Sequence, residues 1–443
     1  MILKLLAGAG VLMLLLWAMG KIPLSYNLRN LTIRWKTTLL TALAFTAVIA
    51  LLTVMMAFVE GMKRMTEGTG RADNVLVLSD GATDEGISNL PISEILDIEN
   101  LAEVAREEGR PLASREAFMV AIQSAPNHDG GRPKRRYLQL RGIEDPRLSA
   151  WMHDIELLPG GSWFSDAGVQ EAAVNGDGVK PAPMIQAVLG EGVAGELGRD
   201  RTPDQLASAK NPQRLDVGDT FTLGDRTWIV VGVMDSAGST FNSEIWAKRS
   251  LAGAMFGKEH YTTLILRARD AATANRLKQY LAEDYKNIAL NPKVELDFYK
   301  DLSETSDNIS YAIWFLAVVM SVGGIFGVMN TMFAAVSQRE GDIGVLRLLG
   351  FSRRQVLVSF LLESLFIALV GGLLGCAIGS LCDGWTANSV AGGHGGGKFI
   401  VLQLAVSAEI IATGLFLSLM MGFLGGLFPS LAAMRMRPLE ALR

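Results

Sequence analysis

Apolar residues gather into long uncharged runs toward the two ends of the chain and into short groups through its middle, and the two patterns predict different elements. About 20 apolar residues at a rise of 1.5 Å each cover the hydrocarbon core of a bilayer. Four runs reach that length: 39–59; 309–337, inside an uncharged stretch 308–338; 356–382, with one acid, Glu363; and 401–431, with Glu409 near its start. From 60 to 308 charge is frequent, and β-branched and aromatic residues form groups of strand length at 74–79, 118–122, 137–141, 228–233 and 261–268. Leu277, Leu281 and Tyr285 keep helical spacing behind Asp270, a capping residue, so 270–287 predicts a helix. Residues 294–298 then read as a returning strand, completing a β-α-β unit. The stretch 158–244, rich in Gly and Asp, ends in a hairpin-like pair, 220–223 and 228–233, across Gly224-Asp225-Arg226, and predicts an inserted subdomain. The expected fold class is an α-helical membrane bundle with a large mixed α+β extracytoplasmic domain, 60–308, between the first and second of these spans.

Composition agrees: 49% of the 443 residues are hydrophobic and only 19% charged, against about 25% charged in soluble proteins. The net charge of −4 gives no ground for a nucleic-acid partner. Basic residues cluster beside the apolar runs, as Arg29, Arg34 and Lys36; Arg339, Arg347, Arg353 and Arg354; and Arg435, Arg437 and Arg443. Short basic loops stay in the cytoplasm, so all three groups share that face, and 60–308 and the loop 383–400, with Lys398 alone, lie outside. Lys63, Arg64 and Arg71 run against this, but they flank a long translocated domain, where the rule weighs less.

Residues 1–20 form a shorter apolar segment behind Lys4, and Ala18-Met19-Gly20 fits a signal-peptidase site. An extra spanning helix, an interfacial helix and a cleaved leader all remain open. Cleavage would leave 21–36 outside, against the other basic loops, which favours an uncleaved helix with its amino end outside.

Close helix packing is expected where glycines recur every four residues: Gly323 and Gly327; Gly371, Gly375 and Gly379; Gly422 and Gly426. Membrane lipid is the expected surrounding. Glu363, inside the third span, calls for a structural or coupling role because ionisation there is costly without a partner. Cys376 and Cys382 both fall in or beside that span, which excludes a disulfide framework in the polar domain.

Motifs of chemistry are sparse. Residues 392–399 approach the phosphate-binding GxxxxGK[ST], but Phe399 stands where the magnesium-holding hydroxyl belongs and no strand leads in. His128, His153, His260 and His394 are scattered, which gives a metal site no support, and no GxSxG elbow occurs. The basic stretch 129–136 reads as a solvated turn. No cofactor is expected in this chain, and the energy for any transport must come from elsewhere.

The run Gln338-Arg339-Glu340-Gly341-Asp342-Ile343-Gly344-Val345-Leu346-Arg347-Leu348-Leu349-Gly350-Phe351-Ser352-Arg353-Arg354-Gln355 resembles the signature of the MacB/FtsX-like ABC permease family, with Asp342 for the usual Glu and Leu348 for the usual Ala. Residues 23–41 resemble that family's amphipathic lead-in, here assigned to 21–38. Arg437-Pro438-Leu439-Glu440-Ala441-Leu442-Arg443 resembles its carboxyl terminus, within the tail 432–443, and Gly218-Asp219 with 228–232 resembles its external domain. The likeness covers nearly all of the chain after residue 21; the first helix departs from the family's four spans.

The resemblance implies a non-catalytic permease subunit in the inner membrane. Two permease chains, alike or different, would pair with separate ABC ATPase subunits that hold ATP and magnesium, with a periplasmic adaptor or outer-membrane protein as a further possible partner. Segment 338–355 would be the coupling element, engaging the ATPase through Arg339, Glu340, Asp342, Ile343, Gly344, Leu346, Arg347, Leu349, Gly350, Arg353 and Arg354. ATPase closure would then move the external domain, exporting or extracting a lipid, lipoprotein, peptide or amphiphilic compound. Two alternatives stand beside transport: an FtsX-like mechanotransmitter regulating an external cell-wall hydrolase, and a membrane-anchored receptor without an ATPase.

Overall fold

Four helices carry the long apolar runs. They lie in Trp35–Glu67 (α1), Glu295–Ser337 (α8), Arg353–Ser380 (α10) and Ala408–Arg435 (α11), each long and apolar enough to cross a membrane. The computed structural model describes residues 10, 29, 31–33, 35–125, 134–171, 182–391 and 398–436. The expectations for 1–20, most of the lead-in 21–38, residues 129–133 of the basic turn, the phosphate-loop-like 392–397 and the terminal 437–443 lie outside the described residues. Residues 134–136, expected in that solvated turn, instead open a strand in which Arg136 is buried and donates to Asp200 at 2.6 Å.

The chain divides into two units, one of Met1–Glu60, Asn308–Trp385 and Leu404–Arg443, the other of Gly61–Asp307 and Thr386–Gln403. In the first, α10 is the most enclosed span, with 72% of its most apolar stretch buried, and α8 the least, with 22%. Glycine explains the enclosure. A Cβ on Gly371, Gly375 or Gly379 would stand 2.6, 2.8 and 2.5 Å from the Cβ atoms of Phe45, Ile49 and Thr53 on α1. Three glycines one turn apart thus accept three side chains one turn apart. On α11, Gly422 meets Ala368 Cβ and Gly426 meets Ser364, both on α10.

The pair on α8 behaves otherwise. A Cβ on Gly323 or Gly327 would meet nothing within 4 Å, whereas Gly324 lies against Met421 and Gly425 of α11 against Val328. Among the described residues Gly323 and Gly327 are not packing positions, because α8 turns a neighbouring face to α11.

The second unit follows in chain order as Asn74–Ser79 (β1), Ile92–Glu99 (α2), Arg106–Glu107 (β2), Arg110–Pro111 (β3), Ala113–Ala125 (β4), Lys134–Ile143 (β5), Pro146–His153 (α3), Glu156–Leu157 (β6), Val169–Gln170 (β7), Met184–Gly190 (β8), Glu191–Gly198 (α4), Pro203–Ala207 (α5), Thr220–Leu223 (β9), Arg226–Asp235 (β10), Glu244–Lys248 (β11), Arg249–Phe256 (α6), Thr263–Arg267 (β12), Ala271–Gln279 (α7) and Leu290–Val294 (β13). Nine strands run β13-β1-β12-β4-β5-β11-β8-β10-β6 across one mixed sheet, with β7 added to β8 and β9 to β10. The described residues of 158–244 therefore supply strands to the common sheet. β1 shows why the sheet is covered on both faces. Leu76 and Leu78 pack with Phe298 and Tyr299, and the alternate Val75 and Val77 pack with Leu277 and Leu281.

Asp270 accepts from the Thr273 amide and starts α7. β12, α7 and β13 form the expected β-α-β crossover, with β1 antiparallel between its two strands. The strand expected over 294–298 ends at Val294, and Glu295 begins α8. Five residues are too few for periodicity to decide, and Glu295 and Asp297 favour a helix amino terminus.

The segment joining α10 to α11 is a hairpin of Thr386–Ala391 (β14) and Lys398–Gln403 (β15) that belongs to the second unit. The Val401 amide donates to Ser243 Oγ at 2.7 Å, and Asn242 Nδ2 donates to the Val401 carbonyl at 3.1 Å. A Cβ on Gly61 would stand 2.3 Å from the Gln403 carbonyl oxygen. The expected loop 383–400 is thus largely a docked hairpin: β14 is a strand leading toward the 392–399 run where none was expected, and β15 takes 401–403 from the expected fourth span, whose helix starts at Ala408.

Charge fills the middle of this unit. Arg141 on β5 donates from Nη1 to Glu85 at 2.8 Å and to Glu116 at 2.6 Å, and from Nε and Nη2 to both oxygens of Glu244 at 2.6 and 2.7 Å. His153 closes α3 with Nδ1 at 2.7 Å from Glu295 and Nε2 at 3.0 Å from Glu116. All six side chains are buried.

Candidate coupling site

Between α8 and α10 lies the nine-residue helix Glu340–Leu348 (α9). Its carboxyl end is shaped by Gly350, at φ +94°. The Gly350 amide donates to the Arg347 carbonyl and the Phe351 amide to the Leu346 carbonyl, each at 3.2 Å, the pair of bonds by which a left-handed glycine closes a helix. Arg347 Nη1 adds a bond to the Phe351 carbonyl at 3.0 Å. Ser352 then caps α10 in a reciprocal box with Gln355.

The predicted residues separate into two sets. Arg339, Ile343 and Gly344 are buried. Arg339 donates from Nη1 and Nη2 to the two oxygens of Glu363 at 2.7 and 2.9 Å, with its guanidinium 5.7 Å from the Phe360 ring centre. Each partner is 4% exposed. Arg339 and Ile343 are therefore not free to meet a partner, which corrects their assignment as docking residues: one is consumed by the acid of the third span, the other by the core around Val356 and Phe360. A fork-shaped guanidinium matches a carboxylate with two bonds, and each charge makes burial of the other tolerable.

The outward set is Glu340, Asp342, Gly350, Arg353 and Arg354, with Leu346 and Arg347 half-buried. Among them Val345, Leu348 and Leu349 stand 48, 65 and 72% exposed. Spacing of three and four residues puts these three on one face of α9. Sequence reasoning passed over Leu348 because it registered only as a departure from the family's alanine; an apolar side chain in a charged turn was the available signal. The surface thus has acids at its start, an apolar stripe, and paired arginines at its end. Such a stripe with charged flanks suits a groove lined by apolar residues and acids.

Comparison with known proteins gives two family matches. Residues 38–284 match the MacB-like periplasmic core domain, and residues 314–438 match the FtsX-like permease C-terminal domain. Among curated relatives, the macrolide export ATP-binding/permease protein MacB of Bdellovibrio bacteriovorus is 26% identical over 282 residues, 58% of this chain and 39% of the relative. That of Burkholderia cenocepacia is 23% identical over 346 residues, 74% of this chain and 46% of the relative. The chain spans less than half the length of each. The periplasmic region of MacB from Actinobacillus actinomycetemcomitans aligns over 54% of this chain and 94% of its own at 15% identity, with a TM-score of 0.33. With the first family match alone covering more than half of its residues and the second falling on the helices that hold α9, the chain belongs to the MacB/FtsX-like permease family.

Proposed function

We propose that this chain is the membrane subunit of an ATP-driven, MacB-type machine of the inner membrane, in which α9 receives the stroke of an ABC ATPase on a separate chain. The external unit would be moved to export or extract a lipid, lipoprotein, peptide or amphiphilic compound. One observation carries the reading: Val345, Leu348 and Leu349 are held out from a helix whose inner side is locked by Arg339 and Glu363. An exposed apolar stripe on a rigidly held helix is suited to receive force from a partner. The loops joined to the external unit follow α1 and α10 and precede α8 and α11, so α9 and the external unit join opposite ends of α8. That connectivity supports a push on α9 being delivered across the membrane.

The test is capture of the detergent-solubilised chain with its bound partners, followed by ATPase assays in liposomes. An ATPase is expected to co-purify and to be stimulated by the chain. Leu348→Glu with Leu349→Glu, or Arg353→Glu with Arg354→Glu, should reduce both capture and stimulation at least tenfold while membrane insertion persists. Full stimulation by both variants would refute docking at α9, and capture of a cell-wall hydrolase with no transported compound would favour the mechanotransmitter.

A further inference from the structure

Glu295 is the first residue of α8, which runs without interruption to Ser337 in the second span. Its buried carboxylate meets three other elements. His153 stands at 2.7 Å, Asn74 Nδ2 donates at 2.7 Å, and the Arg71 amide donates at 3.1 Å. Arg71 follows the end of α1 by four residues and Asn74 opens β1, so one carboxylate gathers the segment leaving the first helix and the segment entering the second. Contact is close there. Gly70 takes φ +89°, and a Cβ on it would stand 2.9 Å from the Tyr299 ring and 3.0 Å from the Glu295 carbonyl oxygen.

From Glu295 the path continues through His153 to Glu116 on β4, then to Arg141 on β5 and Glu244 on β11, the centre of the sheet. Four carboxylates face Arg141 and His153. Arg71 and Arg267, joined through Asp73, add positive charge at the edge of the cluster. Apolar contacts let helices slide by small steps, whereas charge-assisted bonds in a dry interior hold both distance and direction. A core needing stability alone is served as well or better by apolar side chains of similar volume. The cluster is costly in a domain that has Trp246, Phe241 and Tyr299 around it.

We propose that the His153–Glu295 pair is a mechanical joint, making the central sheet follow displacement of α8 and of the segment leaving α1, so that His153 and Glu295 are positioning residues for the stroke. This rests on the transport reading above. Spin labels placed at Glu107→Cys, on the exposed β2–β3 turn, and Leu381→Cys, at the exposed end of α10, in a chain carrying Cys376→Ala and Cys382→Ala, report the distance between sheet and spans by pulsed electron resonance. The reconstituted complex is measured without nucleotide and trapped with ATP and vanadate. The unaltered joint should give a nucleotide-dependent shift. His153→Gln with Glu295→Gln, which removes one charge of each sign, should cut that shift at least by half while ATPase stimulation stays within twofold. A full shift in this folded variant overturns the joint; no shift in the unaltered chain overturns the transport reading instead. If the double variant does not accumulate folded, Glu295→Gln alone carries the same two outcomes, since an amide oxygen still accepts from Asn74 and the Arg71 amide.

Discussion

Raising the pH from 6.5 to 8.5 should weaken the second, sheet-bearing unit through one proton on His153. Burial pushes this imidazole down, but Glu116 and Glu295, one at each ring nitrogen, outweigh burial and raise it to about 10. In the unfolded chain the ring returns to about 6.5. The folded value is the higher one, so the stabilisation is complete below pH 6.5 and is lost as pH climbs through 10. A tenfold difference in proton affinity between the folded and unfolded chain is worth about 1.4 kcal/mol, which makes the whole effect on the order of 5 kcal/mol, of which about 2 kcal/mol disappears between pH 6.5 and 8.5. The groups facing the ring are Glu116 on β4, Glu295 on α8 and the rings of Phe241 and Trp246. On the acid side, burial pushes Glu116 up, but His153 and Arg141 outweigh it and hold the carboxyl at about 2. Its contribution is present above pH 4.5 and lost as pH falls through 2. Stability from this pair should therefore be greatest between about pH 4.5 and 6.5. Urea unfolding of the full chain in detergent, followed by tryptophan fluorescence at constant ionic strength, measures the slope. The chain with His153→Gln and Glu295→Gln should lose most of the decline between pH 6.5 and 8.5. A decline as steep in that variant, or stability rising with pH in the native chain, would refute the ion pair.

Other perturbations probe the membrane unit. Arg339→Glu leaves Glu363 buried beside a second negative charge and should cost at least about 3 to 5 kcal/mol; adding Glu363→Arg should recover much of it, as read by thermal unfolding in detergent. Gly375→Leu, driven against Ile49 and Thr46, should destabilise by about 1 to 3 kcal/mol or more, whereas Gly323→Leu, which meets nothing among the described residues, should leave the midpoint of the single chain within a degree or two. Gly350→Ala forces a side chain into a left-handed turn and should cost about 1 kcal/mol, and a double variant with Leu349→Glu should combine that loss with reduced ATPase capture.

Spans and strands were legible because each is written in local spacing. A twenty-residue apolar run has few other uses, and 74–79 alternates two apolar faces, both of which the structure covers. The charge cluster was not legible by that means. Glu116 and Arg141 are 25 residues apart, His153 and Glu295 142, and each looks like an ordinary polar interruption of its strand or helix. Only the topology, which sets β4 beside β5 and the start of α8 beside α3, supplies the partners. The glycine pattern was readable as close packing but not as to face, since Gly323 and Gly327 have the same spacing as Gly371 and Gly375 yet point away from the neighbouring helices.

The two halves of the Arg339–Glu363 clamp were both visible, and their union follows from a physical constraint that spacing does not express. Four arginines near one turn look alike when each is counted for topology or docking. An acid within an apolar helix, however, needs a cation or water, and Glu363 lies ten residues into α10, about 15 Å along its axis. Only an arginine that the turn folds back along α10 can reach it. Arg353 and Arg354, at the very start of that helix, are exposed, while Arg339 directly precedes α9 and is delivered inward by the end of α8. Satisfying Glu363 thus removes one arginine from the proposed docking surface and fixes the base from which the other residues project. That division makes Leu348, Leu349, Arg353 and Arg354 the positions where substitutions should change recognition without first collapsing the bundle.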